Sequence, residues 1–358
     1  MDAPVVTVPF NGLFSDQRRR KMKTWRLVFL GVGVLLSAAA FGASECAAVE
    51  LKMSHFMPTK HAQHQVMAAW AERMEELTEG KLQVTIFPGG ALGKPPHQYD
   101  NAVKGITDIA FGLQSYTPGR FPLTSVMELP FLVPSGEVGA RALWRLYEAR
   151  LHKEYRDAKV LWLFMHGPGQ IFTTKKQIRT LEDLKGLKLR SPGPIMSDVI
   201  KTLGAVPVTM PITQVYTGLE RRTIDGVCGP WEIMAPFRLY EQCKYGTEAD
   251  IYSMTFFVVM NKGAYDELPA DLKGVLDANI GESMSIEAGR AYDAADAPAR
   301  KLSMDKGMEV YALPEAERGK WRKMTAPVVE SWVEEMEAKG LHGKEVRQEP
   351  VELIEEMR

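Results

Sequence analysis

Cysteine is scarce in this chain, and charge of neither sign is in excess. Only 3 of the 358 residues are Cys, which is too few for a disulfide-framed scaffold. The 44 Lys and Arg nearly balance the 45 Asp and Glu, whereas nucleic-acid-binding proteins carry a clear basic excess. The hydrophobic fraction of 45% and the charged fraction of 25% are ordinary for globular proteins. We therefore expect a folded protein of about two domains that binds no nucleic acid.

Motifs that carry out catalysis or hold a cofactor are also missing. The chain has no G-x-S-x-G, H-E-x-x-H or C-x-x-C motif and no phosphate-binding loop. His61 and His64 lie three residues apart at a predicted helix start, so they can share a face and hold zinc, but no further ligand accompanies them at a suitable spacing. We expect polar residues near a cleft there, with no metal and no cofactor. Cys228 is predicted to be a buried strand-end residue rather than a nucleophile.

The first 48 residues have the pattern of a secretory signal. A basic cluster at 18–26 precedes an uncharged run of 17 residues, Leu27 to Ala43, which is followed by small residues. This order predicts a cleaved signal peptide, with an uncleaved anchor as the alternative and Met22 as the better start codon, and hence an extracytoplasmic protein. An oxidising compartment permits a disulfide between Cys228 and Cys243, but the helix predicted between them leaves the pairing open.

The rest of the chain alternates between predicted strands and helices, a pattern typical of α/β folds with largely parallel sheets. Thr59 is predicted to cap the first helix, which runs to Glu79. The segments 103–112 and 220–229 both read as helix end, polar pair, Asp, short strand and Gly, which predicts similar local geometry. Further helices are expected at 135–150, 194–203, 213–222, 231–243, 268–306 and 314–340.

Several motifs, in order, make the chain resemble one family of proteins. The segment LEDLKGLKLRSPGP at 181–194 is the most specific. GKLQVTIFPGGALG, NAVKGITDIAFG and MELPFL precede it, and VTMPITQVYTGLERRTIDGVCGPW at 208–231 follows it. The chain thereby resembles the solute-binding proteins of TRAP (tripartite ATP-independent periplasmic) transporters, the DctP-like family, over essentially all residues after 48.

The resemblance implies an α/β, two-domain Venus flytrap with a long helix that spans both domains. Domain I is expected to contain 49–167 and 255–295, and domain II 168–254 and 296–358, with the Gly-Pro-Gly at 167–169 at a crossover. A ligand is expected in the cleft between the domains. The implied partners are a small organic acid and the TRAP membrane subunits, and we expect a monomer.

Arg190 is the principal candidate binding residue. In the family that the chain resembles, an arginine at this L-K-x-R-x-P position pairs with the ligand's carboxylate. A guanidinium meets a carboxylate with two parallel hydrogen bonds, and Arg190 ends a predicted strand, where ligands of open α/β sheets bind.

Seven other positions are weaker candidates for ligand contact. Gln170 stands where many members have a second arginine, and Gly229 stands where some carry an Asn, so both of those polar contacts are in doubt. Trp231 can stack on an apolar ligand or pack in the interior. The remaining four are expected to face the cleft at strand ends: His55, Phe56, Gln114 and Tyr116.

These residues favour a monocarboxylate with an aromatic or apolar body, with a keto or hydroxy acid included. The reasons are the single clear arginine, the glutamine in place of a second arginine, and the nearby aromatic residues. A C4-dicarboxylate and a sugar acid are the alternatives within the family. An extracytoplasmic enzyme or a sensor on the same fold are alternatives outside transport.

Overall fold

The computed structural model describes residues 48–357. The predicted signal peptide and its Met22 start lie outside the described residues. Ten α-helices and eleven strands make up the described part of the chain. The strands are β1 Val49–Ser54, β2 Leu82–Phe87, β3 Ile109–Leu113, β4 Lys159–Met165, β5 Gln170–Thr173, β6 Lys188–Ser191, β7 Val206–Thr209, β8 Gly226–Gly229, β9 Tyr245–Glu248, β10 Thr255–Met260 and β11 Glu309–Ala312.

The helices agree in most places with the hydrophobic periodicity of the sequence. They are α1 Ala62–Leu77, α2 Gln98–Val103, α3 Gly136–Ala149, α4 Pro194–Thr202, α5 Val215–Glu220, α6 Lys262–Glu267, α7 Ala270–Ala278, α8 Glu282–Asp305, α9 Glu315–Ala338 and α10 Gly343–Glu356.

Two sheets divide the strands. The first has the order β2-β1-β3-β10-β4, and the second has the order β11-β9-β5-β8-β6-β7. Most neighbours are parallel, as expected, but β10 runs antiparallel to β3 and β4, and β5 runs antiparallel to β8 and β9. These two strands directly follow the segments in which the chain passes between the sheets. We call each sheet with the helices on it a lobe.

Two of the passages between the lobes, at 166–169 and 249–254, lie side by side. Gly169 N donates to the carbonyl of Tyr252 at 2.6 Å, and Ile251 N donates to the carbonyl of Gly169 at 3.0 Å. A side chain on Gly169 would collide with the Tyr252 ring, because its Cβ would lie 2.2 Å from the nearest ring atom. The lack of a side chain at Gly169 thus allows the two crossover segments to lie in direct contact where the lobes meet.

Helix α8 connects the lobes, as the resemblance led us to expect. Its first half packs on α1, α3 and β4 of the first lobe, and it also contacts the turn at 231–234 that follows β8 of the second. Asp293 accepts from Gly136 N and Glu137 N at the start of α3, while Asp296 accepts from Glu232 N at 2.8 Å. One helix therefore holds both lobes through two carboxylates one turn apart.

The two similar segments have the same geometry. Lys52 N donates to the Asp108 carboxylate at 2.7 Å, and Lys188 N donates to the Asp225 carboxylate at 2.9 Å. In each lobe an Asp that precedes a central strand is thus tied to the neighbouring parallel strand. This confirms the prediction of similar local structure.

Three local predictions were wrong. The residue that caps α1 is His61, whose Nδ1 accepts from Gln63 N at 3.1 Å, and not Thr59. The segment 231–243 forms two short 3₁₀ turns in place of a helix. The stretch 268–306 is two helices, because Gly281 with a φ of 83° separates α7 from α8.

Candidate ligand-binding cavity

A small cavity lies where the two lobes meet. It holds about 40 Å³, which is room for only a few water molecules. An organic acid therefore enters only when the lobes separate or side chains withdraw. Its lining comes from both lobes, the crossovers and α8: Met57, His61, Leu113, Tyr116, His166, Arg190, Pro192, Ile212, Pro230, Ile233, Phe237, Tyr252, Met254, Phe256 and Tyr292.

Arg190 lies on β6, and its side chain is only 3% exposed. Its Nε donates to the Met210 carbonyl at 3.0 Å, and Nη1 donates to the Cys228 carbonyl at 3.3 Å. Nη2 donates to the Tyr116 hydroxyl at 3.1 Å. A guanidinium has five N–H groups, so one remains on each terminal nitrogen after these three bonds. Two such N–H groups on the terminal nitrogens of a guanidinium can bind a carboxylate in two parallel hydrogen bonds.

Tyr116 comes from the first lobe and bonds the second. Its hydroxyl accepts from Arg190 Nη2 and also from Ile212 N, at 2.9 Å. The ring of Phe56 packs against it, with centroids 5.7 Å apart. Tyr116 thus positions the guanidinium and fastens the two lobes at the cavity.

The remaining wall is mainly apolar and includes four aromatic residues, Phe237, Tyr252, Phe256 and Tyr292. The Phe256 ring lies 5.3 Å from the Tyr292 ring between centroids, and Tyr252 packs edge-on against His166. Burial raises the pKa of both tyrosines well above the ordinary value, so both phenols are neutral. Arg190 opposes the rise in the pKa of Tyr252, since the phenol lies within electrostatic reach of the guanidinium. The cavity therefore offers apolar surface with a few polar atoms.

Arg190 is the only Arg or Lys among the described residues that line the cavity. Two histidines line it as well, but burial lowers the pKa of His61 to about 3 and that of His166 to about 4. Both rings are neutral at physiological pH. The cavity therefore presents one positive charge.

Gln170, Gly229 and Trp231 lie beside the cavity without lining it. Both ends of the Gln170 amide are occupied, since its Nε2 donates to Asp250 at 2.8 Å and its Oε1 accepts from Ala249 N at 2.8 Å. A Cβ on Gly229 would lie 2.1 Å from Ile233 Cδ1, so glycine makes room for that cavity residue. The Trp231 ring packs against Phe172 in the second lobe, with centroids 4.7 Å apart.

The other strand-end candidates support the first-lobe wall from behind. His55 Nε2 lies 3.0 Å from His64 Nδ1, and Phe56 packs on Phe111 as well as on Tyr116. Gln114 donates to the Tyr155 hydroxyl at 2.8 Å, on the side away from Arg190. Of the eight predicted residues, the cavity brings together only Arg190 and Tyr116.

The two histidines that were considered for zinc face different partners. His64 bonds His55, whereas His61 Nε2 lies 3.1 Å from a Glu232 carboxylate oxygen. Residues 48–357 contain no group of three or more metal-ligating side chains arranged to hold an ion. Cys228 and Cys243 are both buried free thiols, and burial raises the pKa of each to about 12.

Sequence reasoning missed several lining residues, among them His166, Phe237, Tyr252 and Tyr292. His166 directly precedes the Gly-Pro-Gly that we placed at the crossover. Its position next to the predicted crossover could therefore have identified it as a lining residue. No sequence pattern identified Tyr252 or Tyr292 as a lining residue, because each reaches the cavity only through the packing of a distant segment.

A larger groove of about 740 Å³ lies on the outside of the molecule, between α9, α10 and residues 129–132. Its rim carries both signs of charge, with Arg322, Lys344 and Arg347 opposite Glu330 and Glu334. It shares no lining residue with the cavity that contains Arg190. We therefore assign the site to the smaller cavity between the lobes.

Comparison with known proteins agrees with this architecture. The family described as bacterial extracellular solute-binding protein, family 7 (DctP), matches residues 53–336, and the chain belongs to it. Its members are the solute-binding proteins of TRAP transporters. In residues 48–357, each helix is too short or too polar to cross a bilayer.

Three similar proteins illustrate the range of the family. A TRAP solute-binding protein from Rhodoferax ferrireducens T118, solved with copurified benzoate, is 34% identical with a TM-score of 0.85, covering 86% of this chain and 98% of that one. A marine metagenome protein specific for aromatic acid ligands, solved with 3-hydroxybenzoate, is 33% identical with a TM-score of 0.84, covering 87% and 99%. The C4-dicarboxylate-binding periplasmic protein DctP of Rhodobacter capsulatus is 24% identical over 88% of this chain and 96% of its own.

Proposed function

We propose that this protein captures a small monocarboxylate with an aromatic or apolar body and delivers it to TRAP membrane subunits. The observation that carries the proposal is a single buried guanidinium, with one unused N–H on each terminal nitrogen, in a cavity walled by aromatic rings. One guanidinium neutralises one carboxylate. The neutral rings of His61 and His166 supply no second charge, which disfavours a dicarboxylate.

The aromatic wall supports an apolar ligand body. The cavity has large apolar faces, which are contributed by Phe237, Phe256, Tyr252 and Tyr292. The flat ring of an aromatic acid packs well against such faces. The similar proteins solved with benzoate and with 3-hydroxybenzoate support the same ligand class. A sugar acid would require many more polar partners than this lining provides.

The sheet divisions also support the proposed domains, 49–167 with 255–295 and 168–254 with 296–358. Because Arg190 and Tyr116 come from different lobes, a bound acid bridges the domains, and the cleft closes over it. The family and the signal-like residues 1–48 support export to the periplasm. There the protein acts as a monomer that presents its closed form to the membrane subunits.

A thermal-shift screen of the protein purified from the periplasm tests this function. The protein is first unfolded and refolded to remove copurified ligand, and is then exposed to benzoate, aliphatic acids, C4-dicarboxylates and sugar acids. A ligand at about 100 times its Kd adds roughly 2.7 kcal/mol of stability, a rise of several degrees. Benzamide is the matched control, because it keeps the ring and lacks the charge. We expect shifts from aromatic or apolar monocarboxylates; shifts confined to dicarboxylates would refute the ligand class.

A further inference from the structure

Glu232 lies beside the cavity and reaches across the junction of the lobes. It belongs to the turn after β8 in the second lobe and is 2% exposed. Its carboxylate lies 3.1 Å from Nε2 of His61 and interacts with the backbone N–H of Ala62, the first residue of α1 in the first lobe. Its own backbone N–H is held by Asp296 of α8. The Glu232 carboxylate of the second lobe thus contacts the start of α1 in the first lobe.

His61 is the link between this carboxylate and the ligand site, because it lines the cavity and is fully buried. Its Nδ1 accepts from Gln63 N, so the neutral ring carries its proton on Nε2, which faces Glu232. The close contact is not aligned as a regular hydrogen bond, and Glu232 Oε2 has no partner among residues 48–357. An ionised carboxylate with one unpaired oxygen is costly to bury, whereas a protonated one is less so.

Within residues 48–357, no Lys or Arg forms an ion pair with Glu232, whose close neighbour is His61. Burial, followed by the nearby Asp296, raises the pKa of Glu232 to about 8, and burial raises that of Asp296 to about 7. The other titratable groups around the cluster are Tyr292 on α8, His55 and His64 beside His61, and Asp293 and Asp250 beside Asp296.

We propose that Glu232 is a positioning residue of the binding site, whose uptake of a proton accompanies closure of the lobes and holds the His61 wall against the ligand. When the lobes part, water reaches the carboxyl group, which ionises and releases its proton to solvent. When they close, the group takes a proton back. This inference rests on the proposed function, because it assigns a supporting residue to that same cavity.

The sign of the pH dependence follows from the direction of the shift. The carboxyl pKa of Glu232 is about 8 in the closed form and returns toward 4.5 when solvated. The contribution of Glu232 to closure is therefore fully present below about pH 4.5 and is lost as the pH rises through 8, by at most about tenfold per pH unit. Asp296 acts in the same direction.

The test measures benzoate affinity by calorimetry from pH 7.5 to pH 9 at constant ionic strength, since benzoate stays ionised over this range and the cavity histidines, whose ordinary pKa is 6.5, stay neutral whether buried or solvated. We expect the wild-type affinity to fall with rising pH, and the slope to be shallower in Glu232→Gln. The slope should vanish in the double variant with Asp296→Asn. Glu182→Gln is the matched control, because Glu182 is 74% exposed and should keep the wild-type profile. A flat wild-type profile, or an unchanged slope in Glu232→Gln, overturns the proposal.

Small-angle scattering of the ligand-free wild type keeps the two proposals distinguishable. Its radius of gyration should increase between pH 7.5 and pH 9 as the lobes part, whichever ligand the protein takes. If benzoate fails to bind at every pH while the radius still increases, benzoate is excluded as the ligand and the role of Glu232 stands. A constant radius would count against Glu232 alone, and it decides the matter even if Glu232→Gln does not fold.

Discussion

Replacing Arg190 tests the binding site most directly. Arg190→Lys keeps a positive charge in the cavity but removes the planar fork, because an ammonium is a point charge on a flexible stem. Arg190→Ala removes the charge as well. Both changes break the bonds to the Met210 and Cys228 carbonyls, so ligand affinity has to be separated from stability.

The expected loss follows from burial. Arg190 is 3% exposed, so a carboxylate bound to it is taken out of water and has no other cation among the lining residues. Truncating one partner of a buried charge pair costs about 2–5 kcal/mol, which corresponds to roughly 30-fold to several thousand-fold in Kd. We expect Arg190→Ala to fall in this range and Arg190→Lys to lose roughly 10- to 100-fold.

Calorimetric titration with the acid that gives the largest thermal shift measures this loss. Arg156→Ala is the matched control, since that side chain is 80% exposed and should bind as the wild type does. Circular dichroism of each variant verifies its fold. Near-wild-type affinity in folded Arg190→Ala would refute the assignment of the carboxylate to Arg190.

Three further changes test the packing around the site. Tyr116→Phe removes the acceptor for two second-lobe N–H groups, so we expect roughly tenfold weaker ligand binding; unchanged affinity would mean that the hydroxyl does not fasten the lobes. Gly289→Ala places a Cβ 2.4 Å from a backbone oxygen of α3 and should lower the Tm by several degrees, whereas Gly274→Ala, with open space around it, should leave the Tm unchanged or raise it. Cys228 and Cys243 should resist thiol reagents until the protein unfolds, and rapid labelling of the native protein would contradict their burial.

Sequence patterns predicted the secondary-structure elements and one side chain of the candidate cavity. Alternation and helical spacing are local properties, so they predicted most strands and helices, the two similar Asp-containing turns and the crossover at 167–169. Arg190 was identified because its motif covers consecutive residues. The same reasoning failed at the cap of α1, where His61 replaces Thr59, because side-chain hydrogen bonding chose between two neighbouring polar residues.

Only the tertiary structure decided which side chains share the cavity. Gln170 and Trp231 sit in strands and turns that reach the right region, yet each is turned toward its own lobe by partners that are distant in sequence, Asp250 and Phe172. His61 and Glu232 are 171 positions apart in the printed chain, and no local pattern brings them together. The sequence determines the chemistry that each side chain offers. The packing of both lobes on α8 determines which of these side chains lie together in the cavity.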